Sequence, residues 1–151
     1  MDVEELLLSE RSEVLDEAFT ALKRSHHAHY EEAGDVFTRE RLGELFDLVL
    51  TALHDRELAP VGAYCEEIAE RRFAAGFDIT EVQTAFNTLE ETLWRRVAEG
   101  IPPLQLAEAI GLLSTILGYG KDALARRYVS LATQRHVPTL DLSALFAGTE
   151  R

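Results

Sequence analysis

A chain of 151 residues, 46% of them hydrophobic, suffices for one domain that buries about 68–70% of its unfolded surface without disulfides or metal. Its 27 acidic against 15 basic side chains give a formal net charge of -12, which repels a phosphate backbone and excludes nucleic acid or an anionic membrane surface as an expected partner. The lone Cys65 makes no internal disulfide, and Met1-Asp2-Val3-Glu4-Glu5 is acidic where a secretory leader starts basic, so a cytoplasmic location is expected.

Hydrophobic spacing predicts helix throughout, hence an all-α fold of about five main helices and a short C-terminal one. Val14, Leu15, Ala18, Phe19 and Leu22 share one face of a first helix that ends near His26 to Tyr30. Gly34 and Asp35 mark a turn, and Leu42, Leu45, Phe46, Val49, Leu50 and Leu53 form the cleanest amphipathic stripe. Pro60 suits the start of a third helix with Val61, Tyr64, Cys65, Ile68, Ala69 and Phe73 inward, and Gly76 ends it. Asp78 followed three residues later by Glu81 fits a reciprocal cap for a fourth helix, which Gly100 stops.

Pro102 and Pro103 open the longest segment, helical to about Arg135, with Leu106, Ile110, Leu113, Leu117 and Leu124 on one face. Gly111 and Gly118 stand seven apart on one side of it, each costing roughly 1 kcal/mol relative to Ala in a helix. Close approach of a crossing helix in the core is the favoured explanation, and a dimer contact the rival. Residues 1–136 are expected to form the body and 137–151 a tail unit. In the tail Asp141 caps a short helix, and Leu142, Leu145 and Phe146 either dock on the body or meet a partner.

Charge is unevenly placed. Residues 1–100 carry 23 acids and 10 bases, residues 101–151 carry 4 and 5, and Glu108 is the single charge between Ile101 and Gly120. That stretch is not a membrane span, because Pro102, Pro103, Gln105 and Glu108 leave only Ala109–Tyr119 free of charge or amide, short of about 20 apolar residues.

Enzyme signatures are missing: no Gly-rich phosphate loop, no Gly-x-Ser-x-Gly, no His-Glu-x-x-His and no Cys-x-x-Cys, so no catalytic residue and no cofactor are assigned. His26, His27 and His29 are the densest ligand-capable group; on a helix His26 and His29 share a face open to a cation such as zinc. Histidines capping a helix C-terminus is the favoured reading, and no metal is assigned. His54, in Leu53-His54-Asp55-Arg56-Glu57-Leu58-Ala59-Pro60, loosely resembles the segment around a globin haem histidine, but three helical segments follow it and no distal partner can be named. The paired arginines Arg71-Arg72, Arg95-Arg96 and Arg126-Arg127 suit an anion clamp or, preferably, a solvated face balancing neighbouring acids.

The run Arg71-Arg72-Phe73-Ala74-Ala75-Gly76-Phe77-Asp78-Ile79-Thr80-Glu81-Val82-Gln83-Thr84-Ala85-Phe86 resembles the N-terminal domain of the RsbR and RsbRD proteins, the RsbT co-antagonist family of bacterial stress-signalling regulators. The similarity is strongest over Pro60–Val97 and extends over Met1–His136. It implies a globin-like bundle that has lost haem, is usually dimeric and serves as a sensory or regulatory input. It also implies structural roles for Gly76 as turn, Phe77 as anchoring aromatic, Asp78 as cap and Glu81 as its partner. Members commonly continue into an output domain, often of the STAS type, and none of its residues is carried over. The expected function is a non-enzymatic regulatory domain that works as a homodimer and through a signalling protein partner. The alternative is a small-ligand or cofactor binder, haem included, with Phe37, Phe46, Phe73, Phe77, Phe86 and Trp94 around an apolar pocket.

Overall fold

The three- and four-residue spacing of apolar side chains becomes seven helices, with no strand among the described residues, in a computed structural model that describes residues 2–136 and the side chains of 2–134. They are α1 (Val3–Ser9), α2 (Arg11–Arg24), α3 (Ala28–Ala33), α4 (Asp35–Asp55), α5 (Ala59–Ala74), α6 (Ile79–Gly100) and α7 (Pro103–His136). The fold is all-α. The expected tail helix, with Leu142, Leu145 and Phe146, lies outside the described residues.

Where one opening helix is predicted there are three. Glu10 separates α1 from α2, with its N–H donating to the Leu6 carbonyl. α2 stops at Arg24, because Ser25 and His26 turn their N–H groups back to the carbonyls of Leu22 and Lys23, and His26 takes a left-handed φ of 51°. The chain re-enters a helix at Ala28, and this short α3 brings His29 and Tyr30 over the turn between α5 and α6.

α7, about 50 Å long at 1.5 Å per residue, lies chiefly across α5 and then α6, while α2 packs on α6 and α4. Leu113, Leu117 and Leu124 of α7 are fully buried with Leu89 and Leu93 of α6, Phe46 and Leu53 of α4, and Leu7 of α1. Each such side chain contributes roughly 1.5–3 kcal/mol on burial.

The α5–α7 crossing rests on two glycines not singled out from the sequence. A Cβ on Gly120 would lie 3.0 Å from Cys65 Sγ and 3.3 Å from Val61 Cγ1, and one on Gly62 would lie 3.0 Å from Tyr119 Cε1. The helices approach so closely there that a Cβ would have to displace its neighbours by a few tenths of an ångström. Gly111 and Gly118 differ: a Cβ at either would meet nothing within 4 Å among the described residues. The favoured explanation, close approach of a crossing helix, is not met there, because α7 turns this side away from α5 and α6.

Candidate functional site

The turn between α5 and α6 brings together Arg72 and Glu81, the two buried charged residues among the described residues. α5 closes on Gly76, whose φ of +88° is left-handed, with the Gly76 N–H donating to the Phe73 carbonyl and the Phe77 N–H to that of Arg72. This geometry turns the Phe77 ring inward, where it is buried 4.9 Å from the Tyr30 ring in an edge-on contact and 5.2 Å from that of His29. From α7, the buried Tyr128 hydroxyl donates to the Phe77 carbonyl at 3.3 Å. One residue therefore ties α3, α5, α6 and α7 together.

Asp78 caps α6, its carboxylate accepting from the Thr80 N–H, and Glu81 completes the reciprocal capping box. Glu81 also does more than cap. Its Oε1 accepts from the Asp78 N–H at 3.0 Å and pairs with His29 Nδ1 at 2.6 Å, and its Oε2 accepts from the His29 N–H at 3.0 Å. Burial pushes this carboxyl up, but the two N–H groups and the imidazole outweigh burial and hold it below the usual carboxylate range.

Arg72 is the one buried member of the arginine pairs; Arg95, the other member without an ion pair among the described residues, is exposed. Arg71 pairs with Glu67, Arg126 with Asp122, Arg127 with Glu70, and Arg96 with Glu10 and Glu17, which fits the charge-balancing reading for those side chains. Arg72 is only 5% exposed and has no ion pair among the described residues, and its Nε donates to nothing. Its guanidinium lies 4.9 Å from the Phe37 ring centroid and 5.5 Å from that of Phe77, and it approaches the Tyr30 hydroxyl. Burial holds the hydroxyls of Tyr30, Tyr64 and Tyr128 above the usual phenol range, so all three are protonated donors. Beside Arg72, a cavity of about 20 Å³ is lined by Tyr30, Thr38, Arg41, Tyr64 and Phe86, among others.

The remaining candidates lie apart from this cluster. His26 and His29 do not share a helical face, since the chain leaves α2 before His26: His26 is exposed against Glu31, and His29 is committed to Glu81. No group of three or more metal-ligating side chains occurs among the described residues. His54 is exposed at the end of α4, its Nδ1 3.2 Å from Glu4 Oε2. The six aromatics proposed for an apolar pocket are dispersed: Trp94 is exposed, Phe46 and Phe86 are core, Phe37 meets Phe77, and Phe73 stacks on Tyr128 edge-on. Cys65 is a core residue whose thiol burial pushes up to about 12, leaving it protonated and unreactive at neutral pH.

Tyr128 and Arg72 escape a reading by residue type. A signal for Arg72 does exist: it continues the buried series Val61, Cys65, Ile68 at helical spacing, whereas Arg71 falls off it.

The sequence profile of the RsbT co-antagonist protein RsbRD N-terminal domain matches residues 11–145. The chain belongs to this family. The match takes in α2 to α7, and with them the Gly76 turn, Arg72, Glu81 and Tyr128. RsbRD N-terminal domains are regulatory domains of stress signalling. No curated protein and no solved structure matches the chain. Among the described residues, no helix of this RsbRD N-terminal domain is long and apolar enough to cross a membrane.

Proposed function

We propose that the protein is a non-enzymatic regulatory input domain of bacterial stress signalling, working in the cytoplasm as a homodimer and through contacts with a signalling protein. The body is residues 1–136, and residues 137–151 form a tail that docks or meets the partner. The observation that carries the reading is the outward side of α7. Leu104 is 99% exposed, and between Ile101 and Gly120 this surface carries the single charge of Glu108; Val129, 63% exposed, continues the same side beyond that stretch. Ala107, Gly111, Ser114 and Thr115 on the same stretch are exposed and small. A second copy laid along this side approaches closely over Gly111 and Gly118 and covers apolar side chains that water otherwise meets. Leu113 and Leu117 contribute from beneath, holding the helix to its own core.

The family supports a protein partner, and the six other helices of the body offer more highly charged, solvated faces that suit recognition less than this one. Native mass spectrometry of the purified chain tests the reading. The expected mass is twice the 16.9 kDa of one chain. A monomer mass at every concentration up to tens of micromolar overturns the homodimer.

A further inference from the structure

Arginine is seldom buried without an acid beside it, because desolvating a cation is unfavourable unless an opposite charge and hydrogen bonds replace water. Arg72 is buried, forms no ion pair among the described residues and has an Nε–H without an acceptor. The acids nearest this region are already engaged. Glu81 accepts from His29 and from the Asp78 N–H, and Glu44 pairs with Arg41 and accepts from the Tyr64 hydroxyl at 2.9 Å. The rings of Phe37 and Phe77 offset part of the Arg72 charge but supply no acceptor. Arg41, already paired with Glu44, places its guanidinium 4.9 Å from the same Phe37 centroid.

We propose that the cavity of about 20 Å³ whose polar lining is Arg72, Arg41, Tyr30, Thr38 and Tyr64, and whose other seven lining residues are apolar, is a binding site for one small monovalent anion of the halide class. Its size selects the guest, since roughly 10–15 Å³ admits one water-sized particle and leaves no room for a carboxylic acid or a phosphate. Its chemistry selects the charge. The Arg72 Nε–H is the free donor, and the Tyr30 hydroxyl beside the guanidinium keeps its own proton to donate. Thr38 is less available, because its hydroxyl donates to the Gly34 carbonyl at 2.9 Å. A water molecule would satisfy the same donors but would leave the guanidinium charge unanswered. The site does not depend on the dimer, since its lining belongs to α2, α3, α4, α5 and α6 of one chain.

The full-length protein, exchanged into sodium gluconate, is melted with increasing sodium chloride or sodium bromide at constant ionic strength; gluconate is too large to enter. The expected result is a saturable rise in Tm with either halide, abolished or weakened about tenfold or more in apparent affinity in Arg72→Met. Equal melting in gluconate and halide, or an undiminished rise in Arg72→Met, overturns the site. Should Arg72→Met fail to fold, crystals of the wild-type protein grown in bromide decide. An anomalous peak within hydrogen-bonding reach of Arg72 is expected, and bromide found only elsewhere contradicts the proposal.

Discussion

Within α7, Gly120 and the pair Gly111 and Gly118 lie within about three turns of each other yet serve opposite sides of the helix. Gly120 lets α7 settle against Cys65 and Val61 of α5, where a Cβ would crowd both. Gly111 and Gly118 face open space among the described residues. The difference teaches that a helical glycine spacing does not by itself report packing. What separates the two uses is the register of each glycine against the buried series: Gly120 lies on the side of Leu113, Leu117 and Leu124, and Gly111 lies opposite.

That contrast is broken most directly at the packed side. Gly120→Leu forces a side chain into the α5–α7 crossing and should destabilise the fold by about 3 kcal/mol, the upper part of the usual overpacking range. Thermal melts should show a fall of roughly 6–12 °C. A wild-type Tm in this variant would mean that the crossing is not close.

The turn on which the packed side rests comes next. Glu81→Gln keeps the shape but removes the charge that three donors address, and should cost about 2 kcal/mol by chemical denaturation. Its pH dependence sharpens the test. The folded Glu81 carboxyl lies below its ordinary value, so the folded chain holds fewer protons there than the unfolded chain as the carboxylate range is crossed. Its contribution is therefore full above that range and lost as pH falls through the folded value. The gap between wild type and Glu81→Gln should close on acidification, and a gap constant with pH would contradict the assignment.

Tyr128→Phe removes the hydroxyl that α7 donates to the Phe77 carbonyl and should cost about 1 kcal/mol. The smallest effect belongs to the open side and has the opposite sign. Gly111→Ala and Gly118→Ala should each raise stability by about 0.5–1 kcal/mol, since the methyl meets nothing in its own chain and the helix gains propensity. A loss of stability in dilute, monomeric protein would show that these positions are packed after all.

Much of the frame was legible because helix period, proline and glycine act locally. The limits of α4 to α7 follow from the Leu42–Leu53 stripe, Pro60, Gly76, Asp78 and Pro103. The end of α2 near His26 was legible, but the return to helix at Ala28 was not, because it goes with where His29 and Tyr30 reach, His29 contacting Glu81 some 52 positions away. The same holds for Arg72. A doublet of arginines reads as surface, and only registering Arg72 with Val61, Cys65 and Ile68 places one of the two indoors. The glycines illustrate the limit most clearly, since Gly62 and Gly120 owe their role to each other's helix rather than to their own neighbours in sequence.

The central claim is that the open side of α7 is where this RsbRD N-terminal domain meets a second copy. Sedimentation velocity across a concentration series, on the wild type and on Gly111→Leu and Gly118→Leu, tests it directly. The expected result is a dimer for the wild type and a shift to monomer in both variants, with helicity and the monomer's Tm preserved. A wild type that sediments as a monomer throughout, or variants that dimerise as tightly as the wild type, would contradict it.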